Sequence, residues 1–304
     1  MASGKPLVNR DALFGVVFAL LAALGFSAKA ILIKLAYLDS ADAITLLALR
    51  MLFSLPFFIG IAFWSRRQQL NRLSLHDRML ILVLGVIGYY LSSFLDFLGL
   101  QTISAGLERL ILFLHPTMTV ILSALIYRRA IGKRVIAALL LCYAGIVLVF
   151  LHNAEIQQEG ILLGVALVFA SALCYAVYLV GAGHVMARIG TTRFTAYALM
   201  AASAASLLQF AVMRPLVALD LPLRFYELAL AMAIFSTVLP AFLLSHAIRR
   251  IGSGRSSLIG SVGPVSTIYM AYVFLNESVS LLQVAGSALV LIGVLIISMS
   301  GQKH

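Results

Sequence analysis

The sequence predicts an all-α integral membrane protein with ten transmembrane helices arranged as two inverted-topology five-helix repeats. Three observations carry this. Apolar stretches of about 20 residues recur along the whole chain, and each can cross a hydrocarbon core of about 30 Å as a helix. Landmark residues recur at one interval: Ile103, Gly106, Leu110, Pro116 and Gly145 return 148 positions later as Ile251, Gly254, Leu258, Pro264 and Gly293. Gly15-Val16 returns as Gly164-Val165 at an interval of 149. Basic residues crowd alternate connections, which is the signature of chain orientation in a bilayer.

The first span covers roughly 12–36. It is too long for the apolar region of a signal peptide and contains Lys29, so it is read as retained. The second, 43–64, carries Arg50 and ends on Trp64. The third, 79–100, holds Tyr89, Tyr90, Ser92, Ser93 and Asp96. The fourth, 104–127, opens with Glu108 and Arg109, passes through His115-Pro116 and ends on Tyr127. The fifth is 134–151, the sixth 160–184 with Tyr175 and Tyr178, and the seventh 193–213. Ser236, Thr237 and Pro240 interrupt the eighth, 225–247. Ser261, Gly263, Pro264, Ser266 and Thr267 interrupt the ninth, 256–275, and the tenth is 280–299. These runs are continuous rather than alternating and exceed the about 9–11 residues of a barrel strand. Connections are mostly shorter than about 15 residues, leaving no room for a soluble domain. The chain is read as one membrane domain, 1–304, with repeat units at 12–151 and 160–299.

Composition agrees. Apolar residues make up 62% and charged residues 11%, against roughly 25% charged in a soluble domain. The net charge of +11 would suit nucleic acid, but its placement points elsewhere. Arg66, Arg67, Arg72 and Arg78 follow span two; Arg128, Arg129, Lys133 and Arg134 follow span four. Arg188 and Arg193 follow span six; Arg249, Arg250 and Arg255 follow span eight; Lys5, Arg10 and Lys303 flank the termini. Alternate connections carry Glu155, Glu159 and Glu277 instead. Both termini are therefore expected on the cytoplasmic side of an inner (plasma) membrane, with lipid rather than nucleic acid as the partner. Trp64 and Tyr127 sit where interfacial anchors belong. Five spans per half is an odd number, so two copies in series enter from opposite faces, a common build of secondary transporters.

Several classes are excluded. The chain has no Gly-rich Lys-Ser/Thr loop, so primary transport by this chain alone is not expected. His115, His152, His184 and His246 have no second ligand at helical spacing, so no metal and no other cofactor is expected. No catalytic set is visible, and the chain is not read as an enzyme. Cys142 and Cys174 both fall within spans and read as packing residues. Ala138 and Gly145, and Gly286 and Gly293, are each seven apart and so share a face on spans five and ten. That face predicts close packing, either within one chain or between two copies of a homo-oligomer.

The five-span unit, with a fourth span that opens at Gly106 and carries His115-Pro116, resembles the EamA-type unit of the drug/metabolite transporter superfamily. The second copy is similar again: Gly254-Arg255-Ser256-Ser257-Leu258, then Gly263-Pro264, then Leu275-Asn276-Glu277. Arg129 stands where the first copy would have the acidic residue. The resemblance covers about residues 12–299 and implies a ten-span exporter of amino acids or similar small metabolites, with the aromatic amino acid exporters as one branch. Drugs, sugars or nucleotide-sugars remain alternative cargoes. A non-transporting subunit or receptor remains an alternative class.

Ionisable residues within spans are functional candidates. Counting about 1.5 Å per residue places Lys29, Arg50, Asp96, Glu108 and Arg109 together, about 6–10 Å beyond the midplane on the outer side. The repeat interval takes Lys29 to Tyr178, Asp96 to Leu244, Glu108 to Ser256 and Arg109 to Ser257, so the charges belong to one half only. Two readings stay open: a salt-bridge network that gates the outer end, or groups that meet the charged ends of a substrate. Candidate substrate-binding residues nearer the midplane are Tyr89, Tyr90, Ser93, His115, Tyr175, Tyr178, Ser236 and Ser261. His115 is weighed both as a proton carrier and as a hydrogen-bonding packing residue. Pro116, Pro240 and Pro264 predict helix kinks, the first and last at matched positions.

Overall fold

A computed structural model describes residues 10–39, 42–68, 73–128, 131–155 and 160–300. Lys5, Arg72, Arg129, Glu159 and Lys303 lie outside the described residues. Among the described residues there are ten spans and no strand. They are α1 (Arg10–Tyr37), α2 (Ala43–Gln68), α3 (Leu75–Gly99), α4 (Ala105–Ile126), α5 (Lys133–Glu155) and α6 (Ile161–Ile189). Then follow α7 (Thr191–Met213), α8 (Leu223–Gly252), α9 (Val262–Leu275, with a helical arm over 253–260) and α10 (Leu281–Ser300). Eight are long and apolar enough to cross a membrane; Val262–Leu275 and the last helix are shorter. Large exposed apolar side chains such as Phe14, Leu208, Val212 and Leu281 stud the outside. In water such a surface would be a liability; against lipid it is the expected coat. This is a multi-pass membrane protein.

Local chemistry sets the helix ends. Ser74 and Asp77 form a reciprocal capping box at the start of α3. Asp42 accepts the Thr45 amide at 2.7 Å at the start of α2. Glu277 accepts the amides of Ala105 at 2.9 Å and Gly106 at 3.4 Å, placing a carboxylate on the exposed donors at the start of α4. The acidic residue singled out by family resemblance thus ties the α9–α10 connection to the first half. Gly190, at φ 84°, makes the α6–α7 joint in a single residue. Gly252, at φ 81° and ψ 162°, does the same between α8 and the arm of α9, a conformation essentially reserved for glycine. At that joint the helix turns from α8 into the arm with hardly a break, while α9 itself is short.

Of the three prolines expected to kink helices, Pro116 and Pro264 each follow an interruption of the helix. The α4 helix stops at Leu112 and restarts at His115, with Pro116 in the new first turn. The α9 arm stops at Gly260 and the helix restarts at Val262, with Pro264 in the same place. Proline lacks an N–H and its ring meets the carbonyl four residues back, which favours a break there, although α2 runs unbroken through Pro56. Ahead of Pro240 the chain widens into a π-helical turn, Ile234–Val238. A second π turn, Val86–Leu91, lies in α3 without a proline, one repeat interval earlier.

The helix starts follow the same interval. Ala43 and Thr191, Leu75 and Leu223, Val86 and Ile234, and Lys133 and Leu281 each differ by 148. Packing is reciprocal between halves: α1 lies on α8 and α9, and α6 lies on α3 and α4. The α2–α7 and α5–α10 pairs are each their own counterpart, which is what a pseudo-two-fold axis in the membrane plane requires. The small residues act within one chain: a Cβ added at Gly293 would stand 2.6 Å from the Ala138 carbonyl oxygen, and one at Gly145 2.5 Å from that of Gly286. Cys142 and Cys174 are free thiols, and Cys142 packs in this seam against the Val290 carbonyl.

Candidate functional site

Below, the terminal end is the end of the bundle that holds residues 10 and 300, and the far end is the other. At the terminal end a cavity of about 330 Å³ opens between α2, α7 and α8. Its walls are Phe58, Ile61, Trp64 and Ser65 of α2, the first turns of α7 from Thr191 to Leu199, and Ala241 to Arg249 of α8. Apolar and aromatic faces dominate, with hydroxyls from Ser65, Thr191, Thr192, Thr195 and Ser245. The lining cations are Arg193 and Arg249, with His246 beside them, and no lining residue is acidic. Arg193 is buried and stacks over the Tyr197 ring at 5.9 Å. At the deep end Phe58, Leu199 and Val238 close the space, with Tyr89 and Phe242 packed on them. An apolar cleft with a few fixed polar groups is the usual form of a small-molecule site.

Behind that floor stands a chain of aromatic rings. Tyr89 and Tyr178 share a hydrogen bond between hydroxyls at 3.0 Å. Tyr178 stacks on Tyr175 at 5.6 Å, Tyr175 meets His115 edge-on at 5.2 Å, and Phe194 lies 5.9 Å from Tyr178. These separations are those of favourable ring pairs. Helices α3, α4, α6 and α7 meet here. Gly88 allows it, because any Cβ there would run into the Tyr178 ring. One turn on, Ser92 and Ser171 bond reciprocally, Ser171 Oγ donating to the Ser92 carbonyl at 2.7 Å. His115 Nδ1 lies 3.0 Å from the Leu112 carbonyl, one of the acceptors freed by the break before Pro116.

The charges gather in the far half. Lys29 Nζ lies 2.6 Å from Asp96 and 3.4 Å from Glu108, so one ammonium serves two carboxylates. Three helices, α1, α3 and α4, are joined through it. The Glu108 and Asp96 carboxyls lie against each other as well as against Lys29, and Arg109 Nε is buried without a hydrogen-bond partner. Arg50 donates to Ser93 Oγ at 3.1 Å and lies 5.1 Å over the Phe97 ring. Arg109 reaches instead toward the α9 break, where Gly263 leaves room for its guanidinium. There the Ser27 hydroxyl sits 2.9 Å from the Gly263 carbonyl, and Thr267 donates to the Ser27 carbonyl. The charged residues therefore join the far halves of α1, α3 and α4, and Arg109 reaches the break that begins α9.

Four of the substrate-binding residues expected from sequence, Tyr89, His115, Tyr175 and Tyr178, thus come together. Tyr90 stacks on Phe94 at 6.3 Å instead, and Ser93 is taken up by Arg50. Ser236 is buried in the π turn, and Ser261 forms the break of α9. None of the eight lines the open cavity. The residues that do line it had been read as topology or interface: Trp64 as an anchor, Arg193 and Arg249 as loop charge, and His246 as isolated. Their one signal in the sequence is the hydroxyl pattern Thr191, Thr192 and Thr195, which opens a span otherwise rich in alanine. Among the described residues no group of His, Cys, Asp or Glu could hold a metal.

Residues 13–151 and 162–299 each match the EamA-like transporter family. An uncharacterised transporter of Bacillus subtilis is 33% identical over 91% of this chain and 90% of its own length. An S-adenosylmethionine/S-adenosylhomocysteine transporter of Chlamydia trachomatis is 27% identical over 66% of this chain and 64% of that protein. A solved crystal structure shares the fold with a TM-score of 0.65 at 20% identity, covering 95% of this chain and 99% of that one.

Proposed function

Since the chain belongs to the EamA-like transporter family, we propose that it is a secondary carrier that exports amino acids or similar small amphipathic metabolites by alternating access. One observation carries the mechanism: a cavity open at the terminal end of an inverted repeat whose far end is closed. An inverted repeat can adopt the mirror state at similar energy, with units 12–151 and 160–299 exchanging roles. The basic connections favour both termini in the cytoplasm of an inner membrane, in which case the open cavity faces the cytoplasmic pool, as loading for export needs.

The lining supports the substrate class. Aromatic walls and hydroxyls suit an amphipathic solute, and Arg193 with Arg249 suits a carboxylate. The aromatic cluster around Tyr178 lies beyond the floor, where a solute would pass as the floor opens. Its hydroxyl pair and His115 then supply polar contacts. The Lys29–Asp96–Glu108 cluster acts as the far gate, since it joins α1, which packs on α8 and α9, to α3 and α4, which pack on α6. S-adenosylmethionine, the cargo in the chlamydial relative's name, is itself an amino acid, extended by a sulfonium and an adenosyl group, and it belongs in any substrate panel.

The test is counterflow in proteoliposomes loaded in turn with amino acids, S-adenosylmethionine, sugars and nucleotide-sugars. Saturable exchange of the amino acid class is expected. Exchange confined to sugars or nucleotide-sugars would overturn the substrate class. Binding without flux for every class would make the chain a receptor or subunit.

A further inference from the structure

We infer that the far end of the protein holds a second solute cavity, shut in this structure, whose lining is fixed by the first cavity and whose latch is the Asp42–Arg214 ion pair. The inference rests on the carrier reading above. The repeat interval carries the open cavity onto the far end wall by wall. Phe58 falls on Ser206, Ile61 on Gln209, Arg193 on Thr45, Ala196 on Ala48, Ala241 on Ser93 and Phe242 on Phe94. The register is not adjustable, because the helices that bear these residues start one interval apart. The counterpart walls are the start of α2, the end of α7 and the end of α3.

In this structure those walls are in contact. Thr45, Ala48 and Ser206 are buried, and Ile44, Ala48 and Phe210 form a small apolar cluster. Leu219, in the short 3₁₀ turn Leu216–Leu219 after α7, packs over it with Phe94. The seam nevertheless contains polar groups that a permanent core would not keep. Ser206 Oγ, Gln209 Oε1 and Arg50 Nε are all buried without a hydrogen-bond partner. Buried polar groups are nearly always satisfied, and these three would be once water entered between α2, α3 and α7.

The latch follows from what the two mouths do not share. At the terminal end, the end of α2 and the start of α7 stand apart, with Trp64 and Ser65 facing Gly190 to Arg193 across the cavity. At the far end, the end of α7 and the start of α2 are joined where Arg214 donates to Asp42. The interval takes Asp42 to Gly190, which has no side chain, so the terminal mouth cannot build the equivalent pair. The other end-to-end pairs are balanced. Asp39–Arg224 joins the α1–α2 connection to the start of α8, and Arg188–Asp77 joins the end of α6 to the start of α3. Among the described residues Asp42–Arg214 is the one ion pair between α2 and α7, and with the Lys29 cluster it biases the resting carrier toward the terminal-open state. Both partners are one-third exposed, so the bias is modest, a factor of about two to five.

The experiment reads accessibility and needs no transported solute. Ser206→Cys and Gln209→Cys are made separately in a Cys142→Ala/Cys174→Ala background and reconstituted. A membrane-impermeant maleimide is then applied to the far face, with liposome orientation set by a terminal tag. Labelling should be slow, rise about two- to fivefold with Asp42→Asn, and fall back in the charge-swapped Asp42→Arg/Arg214→Asp pair. Ile61→Cys, in the open cavity, should label from the terminal face and slow when Asp42 is replaced. Unchanged labelling at both far positions would overturn the inference. So would rates that rise together at both ends, the mark of general loosening. Gated labelling with no flux for any solute would sink the carrier reading and keep this one; flux with ungated labelling would do the reverse.

Discussion

Lys29 is the residue whose loss should be felt most. Its ammonium is the shared cation of Asp96 and Glu108, at 2.6 and 3.4 Å, and both carboxylates are almost wholly buried. Lys29→Met keeps the apolar stem but strands two negative groups between α1, α3 and α4. Breaking a buried pair by removing one partner costs about 3–5 kcal/mol. The 18% exposure of the Lys29 side chain places the expected value at about 3 kcal/mol, the lower end of that range. In Lys29→Met/Asp96→Asn one of the stranded charges is gone, so the double variant should be more stable than the sum of the singles by at least about 1 kcal/mol. Equilibrium unfolding in mixed detergent and dodecyl sulfate micelles measures both. The single tryptophan, Trp64, supplies the fluorescence signal. A cost below about 1 kcal/mol for Lys29→Met, or singles and double that add within about 0.5 kcal/mol, would refute the shared-cation reasoning.

The remaining expectations concern backbone and site. Gly293→Ala should destabilise by about 1–3 kcal/mol, because its Cβ meets the Ala138 carbonyl. Gly60→Ala, which meets nothing, should be neutral or stabilising by up to about 1 kcal/mol in the same assay. Gly252→Ala should cost about 1–3 kcal/mol through backbone strain alone, whereas Gly183→Ala, with open space and ordinary helical geometry, should not. Glu277→Gln keeps one of the two hydrogen bonds to the start of α4, since its NH2 cannot accept, and removes the charge; it should cost about 1–2 kcal/mol, less in high salt. Phe242→Ala enlarges the cavity without touching Tyr178 or Lys29; counterflow should show a raised KM with little change in maximal rate, and an unaltered KM would place the solute elsewhere.

The sequence was most legible where physics acts along the chain. Apolar run length marked the spans because a bilayer imposes one length on every helix. Pro116 and Pro264 marked the breaks because a missing N–H acts locally, while Pro56 within the unbroken α2 shows that neighbours decide whether the helix parts. Lys29, Asp96 and Glu108 could be placed in one layer because depth follows residue count. The cavity was much harder to read. Arg193, Arg249 and Trp64 have a sufficient explanation in topology, and no pattern within one helix says that three helix ends diverge there. The π turn in α3 was hidden as well, since its cause is contact: Gly85 against Ala198 and Gly88 against Tyr178.

By itself, then, the sequence determined the ten helices, their alternating direction, the 148-residue interval and the residues able to carry charge within the membrane. Those properties depend on composition and spacing, which each segment holds alone. The tertiary structure decided that Lys29 takes two carboxylates and Arg50 none, and that the small faces of α5 and α10 meet within one chain. It also decided that one mouth is open while the other is held by Asp42 and Arg214. An inverted repeat gives both ends nearly the same helices, so which end is open depends on how the few unmatched side chains, Asp42 among them, pack across the halves.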